Sequence, residues 1–311
     1  MTLVFVVFGA CGGSQNAADV ATPSAAISLV EPGAEPRRRL RYDLVPHARE
    51  RFEIETKLHI STAFTNTVLE EGQRSVEVPT VRLVGHVEVT SVSSRGEAVI
   101  SSVVDDVAVF DDSADPGIRS RTEAEVAVLK GLRTSWRMDP SGRTVDIAVE
   151  TPKGSKTVRL LRSLADSIRE NAVVFPEQEV GLGATWQVVS KLSSSSITWT
   201  RTVKYRVTAL TETSVTVLTQ VVMRASSQAL SVEPNATTTL TSGEGNMTGE
   251  LLLRRQAVMV TGRAQGNSEM NFQIVRGRLR ITSTLRWETL TSIQSAAEGG
   301  EHGSVLSPAG R

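Results

Sequence analysis

Cysteine occurs once in the 311-residue chain, at Cys11, so no disulfide can form within it. Aromatic residues make up 4%, too few to build the stacking platforms on which bases or sugar rings rest. Neither sign of charge dominates, because 34 Lys and Arg balance 34 Asp and Glu. That balance lacks the basic face of a nucleic-acid binder and the acidic excess of a solvating tail. Long apolar runs are missing too. Residues 2–10, TLVFVVFGA, stop at nine, against the ~20 that a membrane-spanning helix needs. What is present is length enough for one large β domain or two smaller ones with a self-sufficient core.

The short apolar run suits the h-region of a signal peptide, and Gly9-Ala10 before Cys11 suits its cleavage site. Phe8-Gly9-Ala10-Cys11 resembles the lipobox of bacterial lipoproteins, with Phe8 where that family usually carries Leu. The resemblance implies a diacylglyceryl thioether on Cys11, cleavage before it and acylation of the new amino terminus. The membrane is then the first expected partner. Gly12, rather than Asp, follows the cysteine, which under the same resemblance implies the outer membrane, facing the periplasm or the cell surface. Residues 12–36 are small, polar and hold three prolines, a composition expected to behave as a flexible tether.

From Arg39 onward apolar and polar residues alternate. Phe52-Glu53-Ile54-Glu55, Val87-Glu88-Val89-Thr90, Val203-Lys204-Tyr205-Arg206-Val207, Val215-Thr216-Val217 and Leu279-Arg280-Ile281-Thr282 each read as a strand with one wet face. Clean alternation of this kind predicts antiparallel pairing. Ser94-Arg95-Gly96, Asp139-Pro140-Ser141-Gly142 and Gln265-Gly266-Asn267 read as turns. Residues 155–171 break the pattern. Val158, Leu161, Leu164, Ala165 and Ile168 recur at helical spacing behind the cap residue Ser155, predicting an amphipathic helix.

The segments flanking that helix resemble each other in order. Phe52-Glu53-Ile54 corresponds to Trp186-Gln187-Val188, and the hairpin Val87–Ile100 to Tyr205–Val217. The expected organisation is a signal peptide (1–10), a lipidated cysteine with tether (11–38), and a first β meander (39–154). A connecting helix (155–171), a second meander (172–293) and a disordered tail (294–311) follow. The fold class is mainly β, with curved antiparallel sheet from two similar meanders and the helix packed on or between them. One continuous sheet and two packed sheets both fit.

Residues that could carry chemistry are sparse. His47, His59, His86 and His302 form no H-x-x-x-H pair, and no G-x-S-x-G elbow occurs. Gly243–Gly249 imitates a phosphate loop, but β pattern on both sides points to a close-packed strand. Asp105, Asp106, Asp111, Asp112 and Asp115 cluster, and Asp111, Ser113 and Asp115 alternate as oxygen ligands do in calcium loops. Pro116 stands where such a loop needs Gly, and no closing Glu follows, so no metal or cofactor is expected.

The sequence therefore predicts a non-enzymatic envelope lipoprotein. A curved sheet lidded by a helix is similar in architecture to periplasmic lipoprotein carriers and lipid-binding half-barrels, which implies a hydrophobic ligand. A scaffold binding envelope proteins through sheet edges is the alternative, and a hydrolase using Asp105–Asp115 a third.

Overall fold

The computed structural model describes residues 25–66, 72–110, 115–150, 172–194, 197–233 and 236–297. The predicted helix at 155–171 and the lipobox lie outside these residues, as does the expected tail (294–311) from residue 298 on; its residues 294–297 are instead the end of a strand, Leu279–Ala297.

Alternation along the chain produces long strands. The first meander holds β2 (Arg49–Asn66), β3 (Gly72–Val92), β4 (Ala98–Phe110), β5 (Arg133–Met138) and β6 (Thr144–Glu150). The second holds β7 (Thr185–Ser194), β8 (Ile197–Leu210), β9 (Ser214–Ala225), β11 (Ala236–Arg254), β12 (Thr261–Arg276) and β13 (Leu279–Ala297). The short β10 (Gln228–Glu233) pairs with β11 to one side of this path. Together with β1 (Ala26–Glu31), both meanders belong to one open antiparallel sheet of thirteen strands, ordered β1-β7-β8-β9-β11-β12-β13-β2-β3-β4-β5-β6. The seam is β13 against β2, a ladder from Ile281↔Asn66 to Ala297↔Glu50. The choice between one sheet and two is thereby decided in favour of one.

Two further readings of the sequence are corrected. Residues 26–31 were expected within the tether, yet they form β1 (Ala26–Glu31), paired with β7 through Ile27↔Val188 and Leu29↔Trp186. Ile27 and Leu29 pack against the core, which offsets the entropy of ordering so short a strand. Gln265-Gly266-Asn267 was expected to turn, but β12 runs straight through it. A Cβ on Gly266 would stand 2.9 Å from that of Met247 on β11, so the glycine serves close strand approach. The turn between β11 and β12 lies at residues 255–260.

Local chemistry explains the other turns. At 139–143 the Asp139 carboxylate accepts from Ser141 N (2.8 Å), Ser141 Oγ (2.6 Å) and Arg143 N (3.0 Å), and Gly142 takes a φ of +94°. Between β4 and β5 stands α1 (Pro116–Val126), continued by a single 3-10 turn at Ala127–Leu129. Asp115 caps it, its Oδ1 accepting from Gly117 N (2.8 Å) and Ile118 N (3.2 Å), with Pro116 in the first turn where its missing N–H costs nothing.

One face of the sheet carries the core. Cross-strand rows run unbroken along it, for example Val207–Val217–Leu251–Gly262–Ile293–Ile54–Leu83. Val126, Leu129 and Leu132 from α1 and the chain after it cover Phe52, Ile54, Val81, Leu83 and Ile293 on this face. Covering of the sheet was expected of the helix at 155–171, which lies outside the described residues; α1 covers this part of the face. At the other flank, residues 40–44 and 173–184 cover β5, β7 and β8. There Tyr42, Phe175, Trp186 and Tyr205 pack in series, the first two contacts tilted and Trp186 stacked on Tyr205 with centroids 5.1 Å apart.

Candidate functional site

The residues singled out from the sequence are not brought together. Cys11, Asp111, Asp112, Ser113 and His302 lie outside the described residues. Asp115 is engaged as the helix cap. Asp105 and Asp106 sit at a bulge in β4, where the β3–β4 register shifts between Val84 and Gly85. The bulge turns the two carboxylates to different partners: Asp105 meets His86 Nδ1 at 2.8 Å, and Asp106 accepts from Lys130 Nζ at 2.9 Å. The Lys130 ammonium holds the Asp106 carboxyl below the usual range. Asp105 and Asp106 thus point to separate basic partners, and Asp115 to the start of a helix. The Gly243–Gly249 run is strand throughout, and a Cβ on Gly243 would approach Trp199 Cη2 to 2.7 Å.

Two constellations emerge instead. The first is the core-bearing face beyond the covered part. The third row on from the Val207–Leu83 row is Ser190–Arg201–Met223–Gly245–Ser268–Trp287–Ile60–Val76, then come Ala225–Gly243–Met270–Leu285–Thr62–Arg74 and Leu240–Phe272–Ser283–Phe64–Gly72. Burial thins across these rows from β9 and β11, where Ala225, Gly243 and Leu240 are buried, towards β2 and β3. Met270 and Trp287 are buried, Ile60, Val76, Phe272 and Leu285 are half-buried, and Phe64 is 36% exposed. Arg201 is buried on the same face beside Trp199 and Tyr205, with 5% of its surface exposed. Desolvation pushes the Tyr205 hydroxyl pKa up. At the opposite end Glu50 closes the β11–β12 turn, accepting from Val258 N (2.6 Å) and Met259 N (3.4 Å). Burial raises its carboxyl pKa, and these two bonds with the Arg254 charge pull it back in part.

The second constellation lies on the other, polar face. His59 on β2 stands directly opposite Glu77 on β3, and Ser75 lies one side chain further along the same face of β3. His59 Nδ1 is 2.6 Å from Glu77 Oε1, and His59 Nε2 is 3.0 Å from Ser75 Oγ. No spacing rule in the sequence connects the three. Their meeting depends on a bulge near Pro79, where the register shifts between Thr56↔Val81 and Leu58↔Val78. Carried on without that shift, the ladder would set His59 opposite Val78.

Comparison with known proteins adds little about activity. A family model described as a family of unknown function, DUF6263, matches residues 161–258. No curated protein matches the chain. Among solved structures, OpdQ of Pseudomonas aeruginosa aligns over 81% of this chain and 98% of its own at 5% identity, with a TM-score of 0.19. OccAB4 of Acinetobacter baumannii aligns over 82% of this chain and 99% of its own at 6% identity, with a TM-score of 0.16. Both scores lie far below that of a shared fold, so neither likeness carries a functional argument. Among the described residues, no helix is long and apolar enough to cross a membrane, which leaves strand-built crossing unaddressed.

Proposed function

We propose that this chain is a bacterial envelope lipoprotein, anchored through an acylated Cys11, whose curved sheet turns its apolar face to a hydrophobic ligand or lipid. The observation that carries the ligand reading is the graded burial of that face. Ile60, Val76, Phe272 and Leu285 form a neighbouring apolar patch that the described chain leaves half covered, with Phe64 beyond them. Contiguous apolar surface of this kind is where an apolar partner gains most from leaving water. The anchor rests on the lipobox-like Phe8–Cys11 and on the short apolar run before it.

Docking of a protein along a sheet edge has less support. The edge strand β6 carries Asp146 at a φ of +51°, ion-paired to Arg137, beside a register shift in the β5–β6 ladder. Bulges and charges of this sort obstruct strand addition.

The test is titration of the Cys11→Ala chain with a fluorescent fatty acid. Ile60→Asp and Leu285→Asp each place a carboxylate on the apolar face and are expected to weaken binding about tenfold or more, by the cost of burying a charge. Thr282→Asp, on the exposed polar face, should leave it unchanged. Equal affinity in all three variants, or no binding by the parent, would overturn the ligand reading.

A further inference from the structure

We propose that Ser75, His59 and Glu77 form an acyl-transfer relay that hydrolyses small, unhindered carboxylic esters. Hydrogen-bond logic fixes the proton positions. An ionised Glu77 carboxylate can only accept, so the 2.6 Å contact places the imidazole proton on Nδ1. In the neutral ring Nε2 is then an acceptor, and the 3.0 Å contact requires the Ser75 hydroxyl to donate to it. Nucleophile, base and orienting carboxylate are thus aligned as acyl-transfer chemistry needs, by geometry rather than by any sequence order.

His59 is half-exposed and Glu77 exposed, so the site suits a substrate that needs no deep pocket.

The reaction balances with water as the second substrate. Ser75 Oγ attacks the ester carbonyl carbon while its proton passes to His59 Nε2. The carbon–alkoxide bond then breaks, and the alcohol leaves with the proton from Nε2. Water attacks the acyl-serine, giving a proton to Nε2. The acyl–Oγ bond breaks, the carboxylic acid departs, and the proton returns to Oγ. Ser75 and His59 are the catalytic residues, and Glu77 positions the imidazole.

Two measurements on the full chain test this. A fluorophosphonate probe should form a phosphorus–oxygen bond with loss of fluoride, and peptide mass spectrometry should place the adduct on Ser75. Hydrolysis of p-nitrophenyl acetate should fall about 100-fold or more in Ser75→Ala and in His59→Gln, the range of a lost general base. Glu77→Asp should retain more of kcat than Glu77→Gln. A merely structural hydrogen bond gives the reverse order, since Gln preserves side-chain length. Circular dichroism checks that the variants fold, and the labelling of the unsubstituted chain needs no variant. A folded chain that carries no adduct on Ser75, or a hydrolysis rate that Ser75→Ala leaves unchanged, overturns the proposal.

Discussion

Replacing Trp186 measures how firmly the flank of the sheet is fastened. This side chain is fully buried on β7, stacks on Tyr205 at 5.1 Å and lies 6.3 Å from Phe175. Its Nε1 donates to Val174 O at 2.9 Å, tying the segment before β7 to the sheet. Trp186→Ala removes the packing of a large aromatic, about 3–5 kcal/mol in well-packed cores. It also leaves a half-buried carbonyl without its donor, about 1 kcal/mol more. Trp186→Phe keeps most of the stacking and loses chiefly the hydrogen bond, so about 1–2 kcal/mol is expected. Urea unfolding followed by far-UV circular dichroism yields both values without relying on the other three tryptophans. Amide exchange should accelerate first at residues 173–175 in the Phe variant, ahead of β12 and β13. Two variants of equal stability, or a loss below about 2 kcal/mol for Ala, would refute the packing argument.

Other consequences follow from single residues. Asp115→Ala deletes the cap of α1 and should cost about 1 kcal/mol in the same assay, with Asp115→Asn close to neutral. Gly243→Val would drive a side chain into Trp199, and a loss of about 1–3 kcal/mol from overpacking is expected. For Glu50 the folded pKa is raised, so the native state holds the proton more tightly than the unfolded chain does. Its contribution is therefore most favourable at low pH and declines as pH rises above the ordinary Glu value near ~4.3. Urea titrations from pH 4 to 7 should accordingly show Glu50→Gln gaining stability relative to the parent as pH rises. A constant difference would contradict the desolvation argument.

Which parts of this architecture were legible follows from where burial is one-sided. The β2, β3, β8, β9 and β13 patterns were readable because each strand has one covered and one wet face, which writes a period of two. The first three strands of each meander also occur in the order that the paired segments suggested. β1 escaped notice since it contributes only Ile27 and Leu29 to the core and finds its partner strand far along the chain. α1 was invisible for a related reason. Only Thr122 and Val126 of it are buried, so no apolar stripe marks it, and its cap Asp115 read as a member of the acidic cluster. At Gln265-Gly266-Asn267 a glycine needed for strand contact looked like one needed for a turn. The Ser75–His59–Glu77 meeting was beyond sequence reading, because a one-residue bulge decides which side chains face each other. Pro79 is the hint that could have located it, as proline inside a strand favours a bulge.

Native mass spectrometry of the Cys11→Ala chain, purified from the envelope without detergent, tests the central claim most directly. The folded chain is expected to carry one added mass in the range of a lipid, lost on extraction with organic solvent and diminished in the Leu285→Asp variant. A folded chain found only at its bare polypeptide mass, and unable to take up lipid when mixed with vesicles, would contradict it.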